Sequence, residues 1–287
     1  MNFTLRVESD RVIVSRDDGA SVILNDSLSQ REAAELLDRF WSSRTATRSA
    51  DTAGALAVCA EASMMRPSET GRGISWTGRP LGGDDRLALG SLVSSKSRPL
   101  RELLANRRSR RHLGPIGLEA IATILWRTSR VEVLGPVVDG VQVTQRPVPS
   151  AGGRHPHELV VASASIEQLG DSAWAFDPFT CELVRQEYLP EQVTAATSAV
   201  MEAGQLASTP GAVLFLRTDF SRTLSRYPAG AALVWRDSGV LLGALHLCAE
   251  DLGLSSCLVA TSGVLQPRGE SLWVDTGALA LGSPPTS

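Results

Sequence analysis

Arg107, Arg108, Arg110 and Arg111 place four guanidinium groups within five positions, with only Ser109 between them. Forked cationic donors beside a hydroxyl suit the oxygens of a phosphate monoester. The competing reading is a solvated basic face, the usual fate of a charge run. The cluster reads as lying just ahead of an amphipathic helix. Positive charge at a helix start opposes the macrodipole unless an anion sits there, which favours the phosphate reading. Neither GxxxxGK[ST] nor a GxGxxG after a strand occurs, so the familiar phosphate loops are not on offer.

A second stretch, "RPVPSAGGRHPHELVV", offers a surface for a flat ligand. Pro149, Ser150, Ala151 and Gly152 form a turn of small residues where backbone can approach closely, and it runs into a buried strand. His155 and His157 make an H-x-H pair on one face of that strand's start. A third ligand is lacking, so no metal site is expected. His246 lies within a mostly apolar helix and reads as a satisfied core histidine.

Elements must position these groups. "FTLRV", "RVIVS" and "ASVIL" alternate and are split by turn residues, as in a small β-meander. Ser29 and Glu32 form a capping box that opens a helix through Phe40, and "AGALAVCAEASMM" reads as a second helix. These segments make a small β-plus-helix domain over 1–65. Residues 66–98 are rich in Gly, Pro and Ser and read as a linker or covering loop, with Trp76 as a docking point. From 99 to 287 the pattern is regular. "PLRELLANRR", "IGLEAIATILW", "VTAATSAVMEAGQLA" and "SGVLLGALHLCAEDLGL" are helical, and "HELVVAS", "GAVLFLRT", "SCLVA" and "GALALG" are strands. The mixture lacks a strict βαβ rhythm, so the fold class is α+β.

The chain has 287 residues, 43% hydrophobic and 21% charged, with a net charge of −3. That is enough for a sizeable core, and it argues against nucleic acid as the partner. Cys59, Cys181, Cys248 and Cys257 show no zinc-like spacing, and Cys248 and Cys257 read as buried thiols. No run of eighteen apolar residues and no signal-peptide pattern is seen, so no membrane partner is expected and the cytoplasm is the expected compartment.

"RRSRR", "PSAGGRHPHELVV", "WAFDPFTCEL", "VLFLRTDFSRTLSRY" and "GVLLGALHLCAEDLGLSSC" occur in the order found in the FMN-dependent nitroreductase superfamily. The chain most resembles its SagB-type branch, azoline dehydrogenases that form thiazoles and oxazoles in ribosomal peptide natural products. The resemblance covers about residues 99–283. It implies a homodimer with FMN at the subunit interface. Arg107, Arg108, Ser109 and Arg111 would grip the phosphate, and Pro149, Ser150, Ala151 and Gly152 would lie against the ring. Gly253, Leu254, Ser255 and Ser256 would present backbone near its reactive edge, and His155 would line the substrate pocket.

In that branch a Lys-Tyr pair is associated with catalysis. The matching residues here are Arg226 and Tyr227, so an arginine stands where the branch has lysine. Arginine cannot serve as a base, and proton transfer falls to Tyr227. The implied activity is oxidation of azolines in a modified precursor peptide, with the N-terminal domain docking the peptide or a cyclodehydratase complex. Two other readings are an NAD(P)H-dependent enzyme reducing small acceptors and a non-catalytic scaffold subunit.

Overall fold

The computed structural model describes the strands at 3–7, 11–16 and 21–25, then residues 85–285 apart from 91, 94–96, 164, 228–229, 261–264 and 266–272. The expected helices at 29–40 and over "AGALAVCAEASMM", together with Cys59 and Trp76, lie outside the described residues. The three early alternating runs form β1 (Phe3–Val7), β2 (Arg11–Arg16) and β3 (Ser21–Asn25), an antiparallel sheet in that order.

The remainder is built on a seven-stranded sheet. Its strands are β4 (Arg86–Ala88), β7 (His157–Ala162), β8 (Ala173–Asp177), β9 (Glu182–Arg185), β10 (Ala212–Asp219), β11 (Ser255–Val259) and β12 (Trp273–Gly282), in the spatial order β11-β12-β10-β7-β8-β9-β4. Every neighbouring pair is antiparallel. β4 lies inside the stretch read as a linker. Three residues are too few to show alternation, so nothing in the sequence marked it.

Both faces of the sheet are covered. In β10, Leu214 and Leu216 point to one face and Val213 and Phe215 to the other, and all four are buried. The first face packs on α2 (Leu118–Ser129) through Ile121, Ile124 and Leu125, and on α5 (Ala231–Asp251) through Leu245 and Ala249. The second face packs on α3 (Pro190–Gly204) through Val193, Ala196 and Val200. Two-sided burial explains why these strands read as continuous apolar runs.

A separate hairpin pairs β5 (Val133–Val138) with β6 (Val141–Gln145) across Asp139-Gly140. Both turn residues have positive φ, 50° and 74°, the requirement of a two-residue hairpin loop. α4 (Phe220–Leu224) is a short turn of helix after β10.

The arginine cluster follows α1 (Leu100–Asn106) and does not open the next helix. Arg107 is the C-cap, and Arg108 Nη1 donates to the carbonyls of Ala105 (2.8 Å) and Arg107 (2.7 Å). The expectation of charge at a helix start is thereby corrected. At a C-terminus positive charge is favourable.

The chain beyond the cluster is then stitched to the sheet ends. Arg110 N–H donates to the Ser256 carbonyl (2.9 Å), Leu113 N–H to Ser208 Oγ (2.8 Å) and Gly114 N–H to the Ser283 carbonyl (2.9 Å). Gly282 makes this approach feasible, since a Cβ there would stand 2.4 Å from the Gly114 carbonyl oxygen and 2.7 Å from its nitrogen. Gly282→Ala should therefore destabilise the protein by about 1–3 kcal/mol, the usual cost of overpacking, seen as a lower thermal midpoint. An unchanged midpoint would show that residues 113–114 give way freely.

Candidate active site

The expected site residues gather into two groups. Pro149–Gly152, His155, Arg226 and Tyr227 form one. Arg107–Arg111 and Gly253–Ser256 form the other.

In the first group, the turn is held by Asp237 on α5. The same carboxylate oxygen accepts from Ser150 Oγ (2.6 Å) and from Ala151 N–H (2.9 Å). Ser150 Oγ also accepts from His155 N–H (2.9 Å). Ala151–Gly153 then make a single 3-10 turn in which Gly152 has φ +61°. A Cβ on Gly152 would lie 2.9 Å from the Tyr227 hydroxyl. The tyrosine thus stands directly against the turn.

Arg226 is exposed, with its guanidinium 6.0 Å from the Tyr227 ring centroid, and pairs with Asp139 at 3.2 Å. Asp139 also takes Arg154 at 3.0 Å, whose side chain is fully buried and donates further to the carbonyls of Arg222 and Val138. The hairpin turn, the Arg154 stem and the Tyr227 segment are thereby one charged unit.

His155 and His157 face one cavity, although only His157 belongs to a strand and His155 has φ +43°. His155 Nε2 lies 3.1 Å from the Thr144 carbonyl, which fixes it as the donor. His157 Nδ1 lies 2.7 Å from Thr218 Oγ1. Burial, then the positive charge of Arg146 on His155 and of Arg222 on His157, pushes both imidazoles down to about 3.

In the second group, Arg110 turns inward to Glu250 (2.6 Å), which also takes Arg98 (3.4 Å). Burial works to raise the Glu250 carboxyl, but the Arg110 hydrogen bond and the two nearby guanidinium charges hold it below the usual carboxylate range. Arg111 anchors through Nε on the Gly204 carbonyl (3.2 Å). Ser255 and Ser256 are buried, and their hydroxyls lack a partner.

Gly253 (φ +71°) is the left-handed residue that ends α5. Its N–H donates to the Glu250 carbonyl, and Leu254 N–H donates to that of Ala249, the pattern that caps helices with glycine. His246 is buried as expected and its Nε2 meets the Arg108 carbonyl at 3.3 Å, but its Nδ1 has no partner among the described residues, so the ring is only half satisfied.

The sequence reading missed Asp237, Glu250, Asp139 and Arg154. A charge inside an otherwise apolar helical run was the available signal for Asp237 and Glu250. The Asp-Gly pair of the hairpin was the signal for Asp139.

A model of the Nitroreductase family matches residues 104–263, more than half the chain. The chain belongs to the nitroreductase family. Among solved structures, it is similar to a protein from Ralstonia eutropha JMP134 described as a nitroreductase, with 17% identity over 73% of this chain and 95% of that one and a TM-score of 0.53. It is also similar to a chain of the E. coli microcin synthetase McbBCD complex with truncated pro-MccB17 bound, with 16% identity over 68% and 76% and a TM-score of 0.50. A search of curated proteins finds no match. These likenesses extend the family's fold to this chain.

FMN is the family's cofactor, and the residues present fit it. Arg110 N–H on the Ser256 carbonyl brings the arginine segment against β11, where the Ser255 and Ser256 hydroxyls are buried with no partner among the described residues, polar groups that suit an oxyanion. The Ser150–Gly152 turn is a place where a side chain on Gly152 would meet Tyr227.

Both cavity histidines are neutral when folded and protonate near pH 6.5 when unfolded. Their contribution to stability is therefore complete above pH 6.5 and lost as the pH falls toward 3. By pH 5 the loss is about 2 kcal/mol for each ring. Denaturant midpoints should fall between pH 7 and pH 5, and His157→Asn should flatten part of that slope. A midpoint that holds steady over this range would show that the rings charge in place.

Proposed function

We propose that the protein is an FMN-dependent dehydrogenase that oxidises azolines to thiazoles or oxazoles in a ribosomally made precursor peptide. The observation that carries the reading is the Tyr227 hydroxyl standing against the Ser150–Gly152 turn. The likeness to a chain of the microcin synthetase complex supports it as well.

Oxidising an azoline removes a proton from a ring carbon and a hydride. FMN, when bound, supplies the hydride acceptor. Arg107, Arg108, Ser109 and Arg111 would hold its phosphate, and Gly253, Leu254, Ser255 and Ser256 would present backbone near the ring's reactive edge. Pro149, Ser150, Ala151 and Gly152 would support the ring. Tyr227 Oη, having released its own proton to water, takes the substrate proton. Arg226 keeps its own proton and, tied to Asp139, steadies the tyrosine segment. His155 lines the wall behind the turn.

The working form is a homodimer. Asp237 and Glu250 mark the two groups on α5 and lie thirteen residues apart, about 20 Å along a helix. That is farther than the ring and phosphate of one flavin, so each cofactor would draw its two groups from two subunits. α5 is apolar nearly all round, and it leaves Trp235 and Val240 exposed. A second copy would cover this face. The domain at 1–65 docks the peptide or a cyclodehydratase complex, and the protein works in the cytoplasm.

Arg107→Ala should lower FMN affinity roughly tenfold to a hundredfold, the worth of one charge-assisted contact, with the fold intact. Flavin absorbance after dialysis reads this. Unchanged retention would return the cluster to the solvated-surface reading, and a wild-type protein that never holds flavin would favour a scaffold.

Tyr227→Phe should lower azole formation about 10²–10⁴-fold, the range for a positioned acid or base, and leave FMN content unchanged. Turnover of an azoline peptide at the parent rate would defeat the proton-transfer role. Rapid NAD(P)H oxidation without peptide would favour the small-acceptor enzyme.

A further inference from the structure

Among the described residues, the large apolar side chains that are more than half exposed are Leu100 (61%) and Leu104 (57%) on α1 and Val133 (52%), Leu134 (58%) and Val137 (53%) on β5. Apolar side chains scattered singly over a surface need no explanation, but strips of them mark an interaction face. These residues form two strips, and each strip lies beside one half of the site. Leu100 and Leu104 stand one turn apart on the same face of α1, the helix whose C-cap is Arg107. β5 belongs to the hairpin that is tied to the turn and to the tyrosine segment. His155 Nε2 meets the Thr144 carbonyl of β6, and Asp139 takes both Arg154 and Arg226.

β5 is closed to one class of partner. Its pairing with β6 is irregular between Leu134 and Val137, and Pro136 in that stretch has no N–H to donate. A bulge and a proline blunt a strand edge against addition of another strand. An extended peptide therefore finds no backbone ladder here. What β5 offers is side chains, and a short helix with leucines one turn apart can lie across them.

A second copy of the chain brings such a helix to this place. Asp237 holds the turn and Glu250 holds the arginine segment, both from α5. A two-fold axis crossing α5 midway between them would carry the turn of one copy to the arginine segment of the other. The elements that flank the two half-sites, β5 and α1, would come together with them.

We propose that α1 of one copy packs on β5 of the other, Leu100 and Leu104 against Val133, Leu134 and Val137. The inference rests on the shared-cofactor reading given above and names the contact that joins its two halves. An isologous dimer makes this contact twice, so both strips of both copies leave water together.

The test uses the full-length protein, with dimer dissociation read by sedimentation and flavin content by absorbance after dialysis. Leu104→Glu and Leu134→Arg each alter an exposed side chain, so the circular dichroism of each variant should match the parent's. Each alone should raise the dimer dissociation constant roughly tenfold or more, because an unpaired charge is then buried at the contact. Flavin should be lost in step. Mixing the two variants should restore both the dimer and its flavin. The mixed dimer has one contact of the parent kind and one in which the two new charges are opposite. Should either substitution prevent folding, Leu100→Glu and Val137→Arg make the equivalent pair.

Dimers as tight as the parent's in both variants, or weakened dimers that mixing does not restore, overturn the proposal. A parent that holds flavin as a monomer overturns the shared-cofactor reading and this contact with it. Flavin held by a dimer that both variants leave intact overturns the contact alone. A flavin-free parent dimer that the variants dissociate and mixing restores supports the contact and strikes only the cofactor reading.

Discussion

A buried carboxylate at the C-terminal end of α5 holds the arginine segment in place. Glu250 takes both Arg98 and Arg110, which pins the segment carrying the arginine cluster against the helix. Thirteen residues earlier Asp237 grips the Ser150–Ala151 turn. One rigid helix therefore sets the separation of two loops that would otherwise be free to drift. Removing either carboxylate would leave a guanidinium or a pair of donors without a partner, which costs far more than such a contact contributes when made.

The apolar layers were legible in the sequence because their periodicity is strong. β7, β10, β11 and β12 read as short apolar runs, and α2, α3 and α5 as longer ones, since each buries a face or both faces. β4, β8 and β9 were not separately visible. β4 has three residues, and the tight turn of Asp177–Cys181 separates β8 from β9. The hairpin β5–β6 carried an Asp-Gly signal, but Val133, Leu134 and Val137 are exposed, so the burial pattern that flags a strand is missing there.

The site was legible in its motifs and not in its wiring. Ser150, Gly152, Arg107 and Ser109 belong to contiguous stretches whose composition is unusual. Their partners Asp237, Asp139 and Glu250 are common residue types tens of residues away, and only the fold shows that they meet. Gly253 teaches a different lesson. It sits in a stretch assigned to the cofactor by resemblance, yet its left-handed φ is already explained by the end of α5. A glycine can satisfy the fold and a ligand at once, and sequence alone does not separate the two demands.

The order of strands bears on how the protein is made. β12 lies between β10 and β11, although it is the latest of these in the chain. Until it is synthesised and inserted, β11 has no neighbour in the sheet, and Ser255 and Ser256 have no fixed place beside the arginine segment. Long-range pairing of this kind is slow to form. A nascent chain that has emerged only as far as β11 would present the Ser150–Gly152 turn while the arginine segment still lacked its settled place against β11. On the proposed assignment of the arginine segment to the cofactor, competence to take up flavin is tied to completion of the sheet, and a chain cut short within β12 would emerge unable to charge itself.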